Sequence, residues 1–189
     1  MSCIPVNPLL QQAGVASRQL YDRQASELVD SSLAWLEHMP ALAHSYGAQL
    51  ATGITLADCA GLDEADLDER YRVAFALCER GDFLLALPLA LHCHIARAHD
   101  ADNAFLAASC LQRLGIIDYA AMLFRHVLQI DDHHMAAAYR LGECLLALGD
   151  RQGAAHLFGW AIELGRHDAG QRELQTMALN RLAGLDRVG

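Results

Sequence analysis

The chain has 189 residues, 53% of them hydrophobic, and a formal net charge of −9. This length supports one domain with a sizeable core, and the apolar composition argues against disorder. The acidic balance argues against a nucleic-acid partner, because phosphate binding needs a concentrated basic surface, and no polybasic stretch is present to hold an anionic membrane.

Neither a membrane-spanning segment nor a signal peptide is predicted from the sequence. The longest uncharged apolar run, residues 83–91, is too short to span a bilayer. The N-terminus lacks the basic and then apolar order of a signal peptide, so we expect a cytosolic protein.

Six cysteines are scattered along the chain without close pairs. We interpret them as buried hydrophobes or free thiols rather than as a disulfide framework.

Helices are predicted before the central part of the chain. Residues 1–16 contain two prolines and no charge, and we expect a mobile or loosely docked arm there. Residues 17–39 lack helix breakers and carry one apolar side, which predicts a helix with Ser17 as its candidate cap. Pro40 suits the first turn of a second helix ending near Ala51.

An acid-rich run follows a short connection that contains two glycines. Asp63 is placed to cap the next helix, and Glu64 and Asp66 lie near the positive end of that helix. We interpret residues 63–69 as a capped, solvated helix start rather than as a metal site.

Residues 67–168 contain three copies of a 34-residue pattern. Gly81, Gly115 and Gly149 lie 34 residues apart, and aligning the copies on these glycines brings other columns into agreement. This period is typical of a helix-turn-helix repeat array. The shared columns are a leucine (Leu77, Leu111, Leu145), an aromatic (Tyr71, Phe105, Tyr139), a small residue (Ala74, Ala108, Gly142) and an alanine (Ala86, Ala120, Ala154).

Each column has a structural meaning. The glycine falls where a helix needs a left-handed residue at its C-terminal end, and Asp82 and Asp150 then offer N-caps to the following helices. The small residues let paired helices approach closely. Pro88 would fall six residues into a helix, so that helix either begins later or is kinked.

The predicted fold is therefore all-α, with the three repeats in a right-handed superhelix. The repeats are residues 67–100, 101–134 and 135–168, within a region of 63–168. Residues 1–62 form an N-terminal arm and helices, with a possible role in dimerisation. Residues 169–189 form a C-terminal helix that caps the last repeat.

The sequence offers little chemistry for catalysis. His92 and His94 are two residues apart on a predicted helix, so they point to different sides and cannot share an ion. His133 and His134 lie in a turn beside two aspartates, where solvated side chains are the ordinary expectation. No phosphate loop, nucleophile elbow or dinucleotide fingerprint occurs. We expect no enzyme activity, no metal site and no cofactor.

A peptide-binding groove is the functional prediction from the repeats. The first helix of each pair should line a concave face. On each of these helices, three residues at spacing i, i+4 and i+7 form one stripe that faces the groove. The alternative is that the aromatics are core residues between helices, but their repetition in register favours a groove for an extended segment. The three stripes are Tyr71, Phe75 and Cys78, then Phe105, Ser109 and Gln112, then Tyr139, Glu143 and Leu146. The predicted binding residues are the first two stripes and Tyr139 of the third.

Several segments carry a family resemblance: GITLAD (53–58), LDEADLDERYRVAFALCERGDF (62–83), AFLAASCLQRLGIIDYAAMLF (104–124) and AAYRLGECLLALGDRQGAAHLF (137–158). Residues 50–185 resemble the class II chaperones of bacterial type III secretion systems. Those are small acidic cytosolic proteins of three tetratricopeptide repeats that hold two hydrophobic translocator proteins before export. The lead-in with Thr55 and the following ERYRVAF is the most specific part of the likeness.

This resemblance implies a function and a site. A concave groove would bind an extended segment of each translocator, and the N-terminal helices would contribute to a homodimer. The groove aromatics would be Tyr71, Phe75, Phe83 and Phe105, with Tyr139 as a further candidate. Cys78 stands where the family commonly shows a tyrosine, which would widen one pocket.

Two other classes stay open from the sequence. A general tetratricopeptide scaffold or regulatory adaptor would use basic residues to hold a ligand carboxylate, and Arg72, Arg113 and Arg140 are available. An enzyme or metal protein would use the histidines and would purify with stoichiometric metal.

Overall fold

The computed structural model describes residues 7–17, 22–167 and 169–186. Regular structure in these residues is helical, which confirms the all-α prediction, and two short 3₁₀ turns precede the last helix. The helices are α1 (Asn7–Ser17), α2 (Arg23–Ser45), α3 (Gly47–Leu50), α4 (Leu56–Ala60), α5 (Glu64–Glu79), α6 (Phe83–Ala96), α7 (Ala101–Arg113), α8 (Ile117–Ile130), α9 (Met135–Ala147), α10 (Arg151–Leu164) and α11 (Arg172–Asp186).

The chain divides into two compact units. Unit 1 extends to Ile116 and contains α1 to α7, whereas unit 2 begins at Ile117 and contains α8 to α11. Each predicted repeat contributes two helices, α5 and α6, then α7 and α8, then α9 and α10. The division of the chain at residues 62 and 168 stays a prediction.

Helix α6 lies at the centre of unit 1. It packs against α1, α2, α5 and α7, and every residue from Leu85 to Ala90 is buried. A helix enclosed on all sides must be apolar all round, which explains the long apolar run in the sequence. Pro88 lies inside this helix, which begins at Phe83, so the expectation of a later start is wrong.

The three repeat glycines end their helices as predicted. Gly81, Gly115 and Gly149 have φ values of 84°, 79° and 88°, a left-handed conformation that glycine adopts without the steric cost of a Cβ. In each case the amide of the residue directly after the glycine donates a hydrogen bond to a leucine carbonyl. From the Asp82 nitrogen to the Leu77 oxygen the distance is 2.8 Å. Paired with the glycine's own amide bond, this is the Schellman arrangement. The glycine column is therefore a set of helix stops.

Helix starts agree with two of the three predicted aspartate caps. Asp63 accepts a hydrogen bond from the Ala65 amide at 3.0 Å, and Asp150 accepts one from the Gly153 amide at 2.8 Å. Asp82 occupies the cap position of α6, but its side chain makes no capping hydrogen bond. Its carboxylate instead lies 3.3 Å from the Arg80 guanidinium. Charge pairing has replaced capping there.

Close helix packing explains the small-residue columns in unit 2. A Cβ on Gly142 would lie 2.7 Å from Cε1 of Phe158, closer than van der Waals packing allows. Phe158 is fully buried and packs in one cluster with Ala154 and with Ala178 of α11. Helix α11 thus covers the last helix pair, as predicted for the C-terminal cap.

The N-terminal predictions need correction. Helix α1 occupies residues that we expected to be a mobile or loosely docked arm, and it packs against α2 and α6. Ser17 ends α1 instead of capping the next helix; Asp22 caps α2, accepting from the Gln24 amide at 3.0 Å. Pro40 lies inside α2 and does not begin a second helix. The arm expectation for residues 1–6 lies outside the described residues.

Among the described residues, no helix combines the length and the apolar character needed to cross a membrane.

Candidate functional site

Seven of the eight predicted binding residues lie on three helices of unit 1. We call them the α5–α7 face: Tyr71, Phe75 and Cys78 on α5, Phe83 on α6, and Phe105, Ser109 and Gln112 on α7.

Helices α5 and α7 contact each other within unit 1. Midway along α5, burial and then the carboxylate charges of Asp102 and Asp100, which lie at the beginning of α7, raise the pKa of Tyr71. Near their ends, Sγ of Cys78 lies 3.3 Å from Sγ of Cys110. The structure therefore brings the two predicted stripes next to each other.

The side chains of the face are accessible to different degrees. Phe75 is 48% exposed, whereas Tyr71 and Phe105 are half-buried. On α7, Ser109 and Gln112 are also half-buried, while the residues between these positions, Leu106 to Ala108 and Cys110 to Leu111, are buried. The predicted stripe on α7 thus coincides with the part of that helix that a ligand can reach.

Arg113 covers one end of the face. Its guanidinium lies 4.8 Å from the centroid of the Phe83 ring, a distance at which the cation is attracted to the aromatic face. Sequence reasoning considered Arg113 only as a carboxylate partner. Its stacking on Phe83 depends on how the end of α7 meets the start of α6, which no sequence spacing shows.

The two sulfurs perturb each other's protonation. Hydrogen bonding from Cys110 lowers the pKa of the Cys78 thiol, against the opposing effect of its burial. The same contact, with burial, raises the pKa of Cys110. The negative charge of a thiolate is therefore more stable on Cys78 than on Cys110.

Tyr139, the eighth predicted residue, belongs to the core of unit 2. It is 1% exposed, and its ring centroid lies 5.7 Å from that of Phe158. Its hydroxyl donates to Oε1 of Glu143 at 3.1 Å, and Arg181 of α11 donates to the same oxygen at 2.7 Å. Tyr139 is therefore a core residue, which was the alternative to a groove position. The aligned aromatic column predicted an accessible ring, but α10 and α11 enclose it.

A buried polar network, which the sequence did not reveal, fixes α5 against α2. Arg70 is 8% exposed and donates to Asp66 at 2.8 Å, and to three groups of α2. These are the Leu28 carbonyl at 3.1 Å, the Ser31 hydroxyl at 2.9 Å and the Ser32 hydroxyl at 2.8 Å. The signal was present: Arg70 falls on the same helical stripe as buried Leu67, Ala74 and Leu77.

His92 of α6 extends this network. Its Nδ1 lies 3.2 Å from the Ser32 hydroxyl, and its ring stacks on Trp35 with centroids 4.0 Å apart. Because Ser32 accepts from Arg70, its own hydrogen is available to Nδ1. Burial, followed by the Arg70 charge, lowers the pKa of His92 to about 4. The imidazole is thus held neutral in the folded protein at neutral pH.

The turn before α9 places Asp131, Asp132 and His133 together, with ligand atoms within 4.8 Å of one another. All three are exposed. Asp131 accepts from the His133 amide at 3.0 Å, and His134 caps α9 by accepting from the Ala137 amide at 3.1 Å. These bonds are the ordinary contacts of a turn and a helix start.

Comparisons with known proteins identify the fold. A family model described as anaphase-promoting complex, cyclosome, subunit 3, of the tetratricopeptide type, matches residues 86–161. None of the curated proteins matches the sequence. A type III secretion system complex from Aeromonas hydrophila aligns with a TM-score of 0.70 at 23% identity, covering 76% of this chain and 95% of that one.

Two further structures each hold a chaperone with a bound segment of a second protein. PcrH with the chaperone binding region of PopD aligns at TM-score 0.65 and 24% identity, covering 67% of this chain and 96% of that one. PcrH comes from Pseudomonas aeruginosa. Yersinia enterocolitica SycD with a peptide of the translocator YopD aligns at TM-score 0.63 and 21% identity, covering 66% and 95%. The chain has the fold of the type III secretion translocator chaperones. SycD has also been solved as an alternative dimer.

Proposed function

We propose that the protein is a cytosolic chaperone of a bacterial type III secretion system. It binds an extended segment of hydrophobic translocator proteins on the α5–α7 face and keeps them soluble and unassembled before export. The observation that carries the proposal is the 48% exposure of Phe75 beside half-buried Tyr71 and Phe105, in a chain whose fold is that of chaperones solved with translocator segments.

The chemistry of the face suits a mostly apolar, extended ligand. Aromatic side chains supply contact area at low entropic cost, and such residues are the usual anchors of peptide recognition. On the same helix as Phe105, Ser109 and Gln112 carry hydrogen-bonding groups at the spacing of successive helical turns. Aromatic contacts and polar groups side by side match a strand whose alternate side chains enter pockets. Binding alone accounts for the function, with no bond made or broken.

The adaptor alternative is weaker because its arginines are engaged. Arg72 pairs with Glu69, and Arg140 with Glu143 at 3.0 Å, while Arg113 stacks on Phe83. A ligand carboxylate would have to displace these contacts.

We further propose a homodimer in which α1 and α2 take part. One side of these helices packs on α6, and Val15 of α1 is 62% exposed, so its side chain is accessible to a second copy of the chain. A Val15→Asp substitution should shift the mass measured by light scattering from dimer to monomer. An unchanged dimer would exclude this surface.

Co-purification tests the binding proposal. Proteins that are encoded beside this chain and contain one or two long apolar segments are co-expressed with it, and the chain carries the affinity tag. We expect co-purification with the native sequence and loss of it with Tyr71→Ala/Phe105→Ala, without loss of helicity by circular dichroism.

A single-site comparison sharpens the test. Phe75→Ala should weaken binding about tenfold or more, the loss expected for an anchor residue worth about 1.4 kcal/mol or more. Met122→Ala is the matched control, because Met122 is also half exposed but lies on α8. Equal affinity of both variants would refute the α5–α7 face as the binding site.

A further inference from the structure

Two thiols from different helices meet inside unit 1. Sγ of Cys78 on α5 lies 3.3 Å from Sγ of Cys110 on α7. Cys78 is half-buried, whereas Cys110 is fully buried. The pair thus has one sulfur that a small reagent can reach and a second sulfur directly behind it.

The geometry is close to that of a bond. Sulfurs in a disulfide lie about 2.05 Å apart, so the two atoms must approach by about 1.2 Å. A side-chain rotation moves a sulfur by that order of distance, because Sγ is one bond away from the Cα–Cβ axis.

We propose that Cys78 and Cys110 form a reversible disulfide by exchange with a low-molecular-weight disulfide such as oxidised glutathione. The Cys78 thiolate attacks one sulfur of the reagent, which forms a mixed disulfide and releases one glutathione. Cys110 then attacks Sγ of Cys78 and releases the second glutathione. Two protein thiols are oxidised and one disulfide is reduced; the two cysteine protons end on the two glutathione thiols.

The local electrostatics support this order of attack. The hydrogen bond from Cys110 lowers the pKa of Cys78, and the thiolate is the attacking species. Cys110 is enclosed and needs no access to the reagent, because its target is the neighbouring sulfur. The accessible cysteine is therefore the attacking thiol, and the buried one resolves the mixed disulfide.

The bond would join the two helices that carry most of the α5–α7 face. It would fix their separation at the end near Phe83 and close a loop of the chain between residues 78 and 110. The formation of the disulfide does not depend on the proposed function, and it is measured on the free protein.

The test is a mapped oxidation of the full chain. The protein is incubated with oxidised glutathione, free thiols are blocked with iodoacetamide, and the chain is digested with trypsin without reduction. Cleavage after Arg72, Arg80, Arg97 and Arg113 places Cys78 and Cys110 in separate peptides, 73–80 and 98–113, each with one cysteine. We expect these two peptides linked by a disulfide that dithiothreitol removes.

Matched variants decide the assignment. Cys59→Ser, which removes another half-buried cysteine, should leave the linked peptides unchanged. Cys110→Ser should abolish them and leave glutathione attached to Cys78. The proposal is overturned if the native chain keeps glutathione on Cys78, if both thiols are alkylated, or if Cys78 links equally to several cysteines.

Discussion

Removal of the Arg70 side chain should undock α2 from the rest of unit 1. The guanidinium joins Asp66 of its own helix to a carbonyl and two hydroxyls of α2, and it is 8% exposed. Loss of one partner of a buried ion pair typically costs about 3–5 kcal/mol. The Asp66 side chain is 46% exposed, so water can solvate its carboxylate. We therefore expect the lower end, about 3 kcal/mol, for Arg70→Ala.

The control is a second arginine of the same helix. Arg72 is 70% exposed and pairs with Glu69 one turn away, so Arg72→Ala should change the free energy of unfolding by less than about 0.5 kcal/mol. With a denaturant slope near 2 kcal/mol/M, Arg70→Ala should lower the urea midpoint by roughly 1.5 M.

Hydrogen exchange locates the effect. In Arg70→Ala, amides of α2 should exchange faster than in the native chain, because its clamp to α5 is lost, while amides of α10 keep their protection. Equal urea midpoints for the two arginine variants, or an α2 with unchanged protection, would refute the role of Arg70 as the residue that holds this helix.

Two further predictions follow from buried rings. The pKa of His92 is lowered from 6.5 to about 4 in the folded chain, so between these pH values the unfolded chain binds more protons than the folded chain. The contribution of His92 to the free energy of unfolding should therefore be full above pH 6.5 and fall by about 3 kcal/mol towards pH 4. His92→Gln should remove this part of the pH dependence in urea titrations, and an unchanged slope would contradict the assignment. Tyr139→Ala should lower the free energy of unfolding by about 3–5 kcal/mol through a cavity beside Phe158, whereas Phe75→Ala should cost about 1 kcal/mol or less; similar losses would contradict the distinction between core and surface aromatics.

The repeat pattern determined much of the helical structure. A glycine every 34 residues predicted three left-handed helix ends, because that backbone conformation is costly for a side chain with a Cβ. Asp63 and Asp150 were predicted as caps because a short acceptor next to a helix start has few other partners. Similarly, the apolar stripe after residue 171 predicted a covering helix. Each of these predictions depends on interactions between residues that are only a few positions apart along the chain.

Other features were decided by distant contacts. Nothing within residues 1–16 indicates a packed helix; α1 is ordered by contact with α2 and α6. Tyr71 and Tyr139 occupy the same aligned column, yet one is half-buried and the other is enclosed by α10 and α11. Local sequence cannot distinguish them, because burial depends on which helix comes to lie over the ring.

The sequence by itself determined the helical repeat, its helix ends and the aromatic and polar stripe on α7. The tertiary structure alone decided three further features: Arg70 as an inter-helix clamp, the contact of Cys78 with Cys110, and the burial of Tyr139. The physical reason is distance along the chain. Periodicity records which residues share a helix face, but the α2 partners of Arg70 lie 38 to 42 residues away and Cys110 lies 32 residues from Cys78, where only packing sets the contact.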